Sequence, residues 1–478
     1  MDLAERKVAG ESVLWMGLIL LATLLLASVI TAVPPRLALV AGLAVGIFII
    51  ALANTQAALY ILIFSMLLSP EFIVGQTAGA SLGRGVTLRL DDFLLVIIGL
   101  SWFAKTAIHK ELGLFKTTPL NRPIFYYIAV CAISTGVGMI LGRVDPKTGF
   151  FFVLKYFEYF VVYFMVVNNI SSGRQVKYFV TAMLVTCFAV SIVGIAQIPG
   201  GGRVTAPFEG ETGEPNTFGG YLVLMLALVL GLLLNSKGVR ERLLLGTLAV
   251  FIIVPFLATQ SRGSYVAFIP MYLSLIFFSD KKRLLTIILV LVVLFGPFLV
   301  PRTVKNRVLY TFRQPPQHGQ LKVGGVRVDT STSARLRSWR NVIAKDWIKH
   351  PLLGYGVTGY RFLDAQYPRV LAETGVLGFA AFVWLLYSLY KRVREFYQKT
   401  DDRFYKGLSL GFLAGFMAML GHSVGCNTFI IVRIMEPFWF LAGLVIMLPA
   451  IQEAEKVDTG EINARLREDE KRLEESPG

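Results

Sequence analysis

Between Arg302 and Arg369 the chain carries thirteen Lys or Arg against three Asp (Asp329, Asp346 and Asp364), a formal balance of +10 over 68 residues. A guanidinium offers a planar fork of donors that matches phosphate oxygens two at a time. So basic a stretch in an otherwise apolar chain points to an anionic ligand, with phosphate the anion Arg suits best. Within it, Thr332 to Trp347 reads as an amphipathic helix that Pro351 and Gly354 bring to an end. Two readings stand side by side: an interfacial helix whose arginines touch lipid phosphates, or a lid whose Arg335 holds a pyrophosphate.

A second hydrophilic stretch, 200–216, combines flexible glycine with Arg203, Glu209, Glu211 and Glu214. It reads either as a solvated turn or as a site in which Arg203 contacts phosphate and a Glu binds sugar hydroxyls. In the second case Asn216 starts the next helix, whose N-terminal amides favour anions. Ser261-Arg262-Gly263 is a very tight turn that sets one more Arg at the mouth of its helix pair. Lys155 and Glu158 share a helix face inside an apolar run, as do Arg433 and Glu436. Charges so placed are costly unless paired, so each couple reads as an internal pair or a functional site. His422 reads as hydrogen-bonded packing. No metal-ligand spacing occurs, the four His are scattered, and neither a metal nor a cofactor is expected.

The elements that carry these residues are membrane helices. Hydrophobic residues make up 55% of the 478 and charged ones 16%, and the mean hydropathy is +0.63. That composition excludes a soluble globular domain. The net charge of +16 belongs to loops beside anionic lipid and to the basic stretch, not to nucleic-acid binding. Apolar runs lie near 13–33, 37–53, 55–73, 92–108, 123–142, 151–169, 178–198, 217–234, 243–260, 264–279, 284–301, 370–390, 405–423 and 434–450. Each is about one bilayer thick as a helix, except that the second or third reads equally as a half-length element.

The fold class is therefore all-α, a polytopic transmembrane bundle of about 12–14 spans with one large, partly helical loop outside the cytoplasm. Lys and Arg concentrate in alternate connections, which places those connections and both termini in the cytoplasm and 302–369 on the opposite face. Four regions follow: an N-terminal bundle (1–301), the basic loop (302–369), C-terminal membrane helices (370–450) and a charged tail (451–478) read as a solvated cytoplasmic helix. Cys131 and Cys187 read as packing residues. Gly407, Gly411 and Gly415 read as a close helix contact within the chain.

Several stretches in order carry a resemblance: Thr259-Gln-Ser261-Arg262-Gly263, Arg335-Leu-Arg-Ser-Trp339, His350-Pro351-Leu-Leu-Gly354-Tyr-Gly356, and Tyr367-Pro-Arg-Val-Leu-Ala-Glu373-Thr-Gly375. With Lys155-Tyr-Phe-Glu158 and Glu214-Pro-Asn216 they resemble the O-antigen ligase and polymerase superfamily of bacterial inner-membrane glycosyltransferases. The resemblance implies transfer of a glycan from undecaprenyl pyrophosphate to a sugar hydroxyl. A ligase delivers it to lipid A core, and a polymerase to another lipid-linked repeat unit. It further implies membrane lipids, a lipid-linked donor and acceptor, and a chain-length regulator as partners.

Carried onto this chain, the resemblance has Arg203, Arg262 and Arg335 converge on the departing pyrophosphate, where they would stabilise its developing charge. Asn216, Glu211, Tyr367 and Glu373 would line the substrate. Ligases of the superfamily place His shortly before the Tyr/Glu-Gly segment, whereas this chain has Asp364 nine residues ahead of Glu373. That departure favours a polymerase or exopolysaccharide enzyme with Asp364 as base. The same Asp would also serve as an ordinary cap for the helix entering at Tyr367, and Glu373 as a structural hydrogen bond to the loop. A flippase for lipid-linked oligosaccharide is the rival from another class.

Overall fold

The computed structural model describes residues 35–76, 85–108, 116–209, 213–299 and 301–474. Of the fourteen apolar runs, the first (13–33) lies outside the described residues. The other thirteen each form a helix. In chain order these are α1 (Pro35–Ala53), α2 (Thr55–Leu68), α3 (Leu90–Ile108), α4 (Asn121–Ile140), α5 (Pro146–Asn169), α6 (Gly173–Gln197), α7 (Pro215–Asn235), α8 (Val239–Ala258), α9 (Arg262–Phe278) and α10 (Lys282–Leu299). The basic loop adds α11 (Arg302–Arg313) and α12 (Thr330–Asn341). It is followed by α13 (Gln366–Lys399), α14 (Arg403–His422) and α15 (Val432–Glu474). The architecture is an all-α polytopic bundle, with 8 helices among the described residues long and apolar enough to cross a membrane.

Polar side chains start several of the helices. Asp145 accepts from Thr148 N ahead of Pro146, Ser172 and Gln175 form a reciprocal box, and Asp402 accepts from Tyr405 N. At the centre α7 and α14 lie against each other. A Cβ on Gly411 would stand 2.7 Å from Leu228 Cα, and Gly407 and Gly415 face the same helix. The glycine stripe is thus spent on contact within the chain, where small residues bring two backbones into dispersion range. Trp439 of α15 is fully buried, with its ring 4.7 Å from Phe160 and 6.0 Å from Tyr163 of α5.

Two features differ from the sequence reading. A β-hairpin, β1 (Glu71–Gln76) with β2 (Gly85–Arg89), precedes α3. A second, of two-residue strands β3 (Lys322–Val323) and β4 (Val326–Arg327), joins α11 to α12. The buried charges pair across helices as well as along one. Lys155 Nζ lies 2.5 Å from Asp92 and 3.7 Å from Glu158. Glu436 accepts from Arg89 at 3.5 Å, and Arg89 also pairs with Asp91. Arg433 donates to the carbonyls of Leu67 (2.8 Å), Ser69 (2.9 Å), Pro207 (3.1 Å) and Phe208 (3.3 Å). These groups tie β2, α3, α5 and α15 together beneath the 201–209 turn.

Candidate active site at the loop end of the bundle

The segment 350–359 crosses the start of α13, where the backbone breaks at Gly375 (φ 64°). Tyr355 N donates to Ala372 O (2.9 Å), Gly356 N to Glu373 O (2.8 Å), and Val376 N to Pro351 O (2.8 Å). A Cβ at Gly354 (φ +68°) would sit 2.6 Å from Glu373 O, and one at Gly375 would collide with Leu352 O. Glycine is required at both places because two backbones touch there and φ is positive. Two of the resembling stretches therefore form one joint that anchors the basic loop to a membrane helix. The Glu373 carboxylate completes it, accepting from Thr358 N (3.1 Å) and Arg369 Nε (3.0 Å).

Above this joint the loop has a small core of its own, in which Val342, Leu363 and Ala372 are buried against Trp347, Tyr360 and Leu371. α12 begins at Asp329, whose carboxylate accepts from Ser331 N (3.0 Å) and Thr332 N (3.2 Å). Arg262, the first residue of α9, grips the same carboxylate from below. Its Nη1 donates to Asp329 Oδ2 at 2.7 Å and its Nη2 to Oδ1 at 3.0 Å, with further bonds to Thr311 Oγ1 (2.8 Å) and Ser331 Oγ (2.6 Å). Burial opposes ionisation of Asp329, but the hydrogen bonds from Ser331, Arg262 and Thr332 outweigh it and hold the carboxyl well below the usual range.

Arg203 stands beside Arg262. Its Nε donates to Thr259 O (3.0 Å) and its Nη2 to Gln260 O (3.3 Å), binding the open end of α8. Burial first, then repulsion from Arg307 and Arg262, pushes its pKa down to about 10. Arg307, on α11, is lowered as well, by burial and then by Arg262. The structure thus brings Arg203 near Arg262 and adds Arg307, which lies within a basic run of the sequence, whereas Arg335 stands apart with Asp364.

Arg335 belongs to the adjoining pair. Its Nη2 donates to Asp364 Oδ2 at 2.7 Å, and Nε is buried without a hydrogen bond. Burial disfavours its charge, but the Asp364 carboxylate overrides this and raises its pKa. Asp364 does not cap α13. The cap position is Ala365, which offers no side-chain bond, and the Asp364 side chain turns to Arg335 instead. Nor does Asn216 start α7: Glu214 precedes the helix and Pro215 opens it. Asn216 Oδ1 accepts from Ser261 Oγ at 2.7 Å. From there a buried chain runs through Ser264 to His422, whose Nε2 lies 3.3 Å from Ser264 Oγ and Nδ1 2.8 Å from Thr428 Oγ1.

Tyr367 donates its hydroxyl to Leu420 O (2.7 Å) and stacks obliquely on Trp339 with ring centres 6.0 Å apart. Glu211 lies outside the described residues. Lys155 and Glu158 stand in the buried network beneath this end. Among the described residues, no three His, Cys, Asp or Glu side chains are grouped to hold a metal ion.

Residues 248–383 match the family model described as O-Antigen ligase. That stretch, less than a third of the chain, is thus similar to an O-antigen ligase. The matched O-antigen ligase region runs from α8 through the basic loop into α13. It therefore takes in Arg262, Arg335, Asp364 and the Gly354–Gly375 joint, while Arg203, Asn216 and His422 fall outside it. No curated protein matches the chain.

Proposed function

We propose that this protein is a bacterial inner-membrane glycosyltransferase that polymerises undecaprenyl-pyrophosphate-linked oligosaccharide repeat units on the outer membrane face. Both termini lie in the cytoplasm and 302–369 faces the opposite side. One observation carries the reading: Asp364 lies 2.7 Å from Arg335, on the same loop whose Asp329 anchors the Arg262 cluster. A carboxylate with 35% of its side chain exposed is open to an incoming hydroxyl.

In the proposed reaction, Asp364 accepts the proton of the acceptor sugar hydroxyl as its oxygen attacks the anomeric carbon. A new glycosidic C–O bond forms, the bond to the pyrophosphate oxygen breaks with its electron pair, and configuration inverts. The pyrophosphate leaves with added charge, which Arg203 and Arg262 stabilise without a divalent ion. Tyr367 and Asn216 frame the glycan, while Glu373, bonded to Thr358 N and Arg369 Nε, holds the loop in place beside it. A separate chain-length regulator would set the product size.

The test is purified protein with lipid-linked repeat units alone. Elongated lipid-linked product supports the polymerase, and silence until lipid A core is supplied would replace it with a ligase. The ligase is the second reading because the family description itself is that of a ligase. Transport across vesicles without any covalent product would overturn both in favour of a flippase.

A further inference from the structure

α11 has an inner face and an outer one. Val304 is buried and Thr311 receives Arg262 Nη1, while Val308 and Phe312 are exposed. Arg307 lies three residues after Val304 and four before Thr311, on the inner face. Its Nε is buried and forms no hydrogen bond, and it makes no ion pair among the described residues. Leaving a buried guanidinium donor unmet is costly unless something else occupies the site.

The charges around it do not balance. Arg203, Arg262 and Arg307 bring three positive charges within mutual repulsion, and Asp329 returns one negative charge, committed to both nitrogens of Arg262. Glu214 is the other carboxylate that acts on Arg203, behind burial and both repulsions. Arg203 meets only carbonyl oxygens in its own hydrogen bonds, which accept protons but neutralise no charge. A dianionic ligand would supply both what the cluster lacks in charge and what Arg307 lacks in acceptors.

We propose that Arg307 is a substrate-binding residue that, with Arg203, receives the diphosphate, while Arg262 and Asp329 form the fixed frame between them. This rests on the pyrophosphate reading above, and it reassigns the direct grip from the arginine that Asp329 holds by two hydrogen bonds to one whose buried Nε meets no acceptor. Being on α11, Arg307 also makes diphosphate occupancy a bond between the basic loop and the 201–203 turn.

The test is calorimetric titration of inorganic pyrophosphate into the full-length protein in nanodiscs, with sulfate as the competing simple anion. Arg307→Gln should weaken pyrophosphate binding about tenfold or more, the loss of a charge-assisted contact. Arg307→Lys should keep part of it, and Lys305→Ala, on the exposed side of the same helix, should match wild type. The Gln and Lys variants carry similar folding penalties and differ in charge, so equal affinities would overturn the role of Arg307 even if both melt early. Sulfate binding as tight as pyrophosphate would overturn the diphosphate assignment. Absence of pyrophosphate binding by the wild type would defeat this proposal and the pyrophosphate reading together, whereas normal binding with an indifferent Arg307→Gln would defeat this proposal alone.

Discussion

Arg262 and Asp329 are joined by two nearly parallel hydrogen bonds of 2.7 and 3.0 Å, and that one pair fastens the first turn of a membrane helix to the first turn of a loop helix. The carboxylate does double service, because it also caps α12. Replacing Asp329 with Ala removes the cap and strands Arg262, whose side chain is only 18% exposed. We expect a loss of about 2–4 kcal/mol in loop stability. Hydrogen exchange across 302–341 checks it, and unchanged protection there would show that the pair is ornamental to the fold.

The same carboxylate gives a pH dependence of known sign. Its folded pKa is lowered, so the stability it contributes is fully present above its unfolded value of about 3.9. That stability fades as pH falls from there through the lower folded value. Acid melting of the loop should therefore begin below about pH 4. In Asp329→Asn the loop should be weaker at neutral pH and the acid-induced loss smaller. A wild-type loop that loosens between pH 6 and 8 would assign the transition to another group.

The membrane helices were legible because a bilayer core demands a long apolar run from each helix that crosses it. Thirteen of the runs surface as helices, most with ends shifted by a few residues, while α13 and α15 run on well past their apolar runs. α11 was not, since Arg302–Arg313 is polar on average and its one buried apolar residue, Val304, gives no run to detect. The partners of buried charges were hidden for a different reason. Helical spacing pairs Lys155 with Glu158, three residues on, and the two lie 3.7 Å apart, but the shorter contact is to Asp92 on another helix, 63 residues away. Glu436 likewise reaches Arg89 across 347 residues. Helical spacing reveals what shares a face, not what lies opposite it.

Opposed backbones can be tested where glycine admits them. At Gly411 a Cβ would meet Leu228 Cα at 2.7 Å and Ala227 O at 3.0 Å, and neither atom can move aside as a side chain would. Gly411→Val should separate α7 from α14 and cut the yield of folded protein several-fold, consistent with overpacking costs of about 1–3 kcal/mol or more. Gly42→Val, where nothing lies within 4 Å, is the matched control. Equal yields from the two variants would refute the close contact.

The three non-glycine residues with positive φ among those described are each held by a charged side chain. Phe208 O (φ 58°) accepts from Arg433, Gln260 O (φ 50°) from Arg203, and Thr358 N (φ 68°) donates to Glu373. Left-handed backbone costs such residues about 1–2 kcal/mol, so these bonds keep the turns in place. Arg433→Gln should release the 203–209 turn, seen as faster hydrogen exchange there, with Phe208→Gly restoring part of the protection by removing the strain. Undiminished protection in Arg433→Gln would mean the turn holds itself.

The sharpest prediction concerns Asp364 as base. A base must take up the proton of the attacking hydroxyl, so the group that fills this position should shape the pH profile of elongation. Exchanging the carboxyl for an imidazole, Asp364→His, should move the acidic limb of that profile upward, because an imidazole takes up protons at higher pH than a carboxylate does. Asp364→Asn should lower elongation about 10²–10⁴-fold at every pH. Asp364 also receives Arg335 at 2.7 Å, so a purely structural role has to be separated from a chemical one. Asn retains an oxygen for that contact but cannot take a proton, and His can take a proton but changes the contact. A limb that stays in place in Asp364→His, or an Asp364→Asn protein that still elongates, would make the residue a holder of Arg335 and leave the proton to another group.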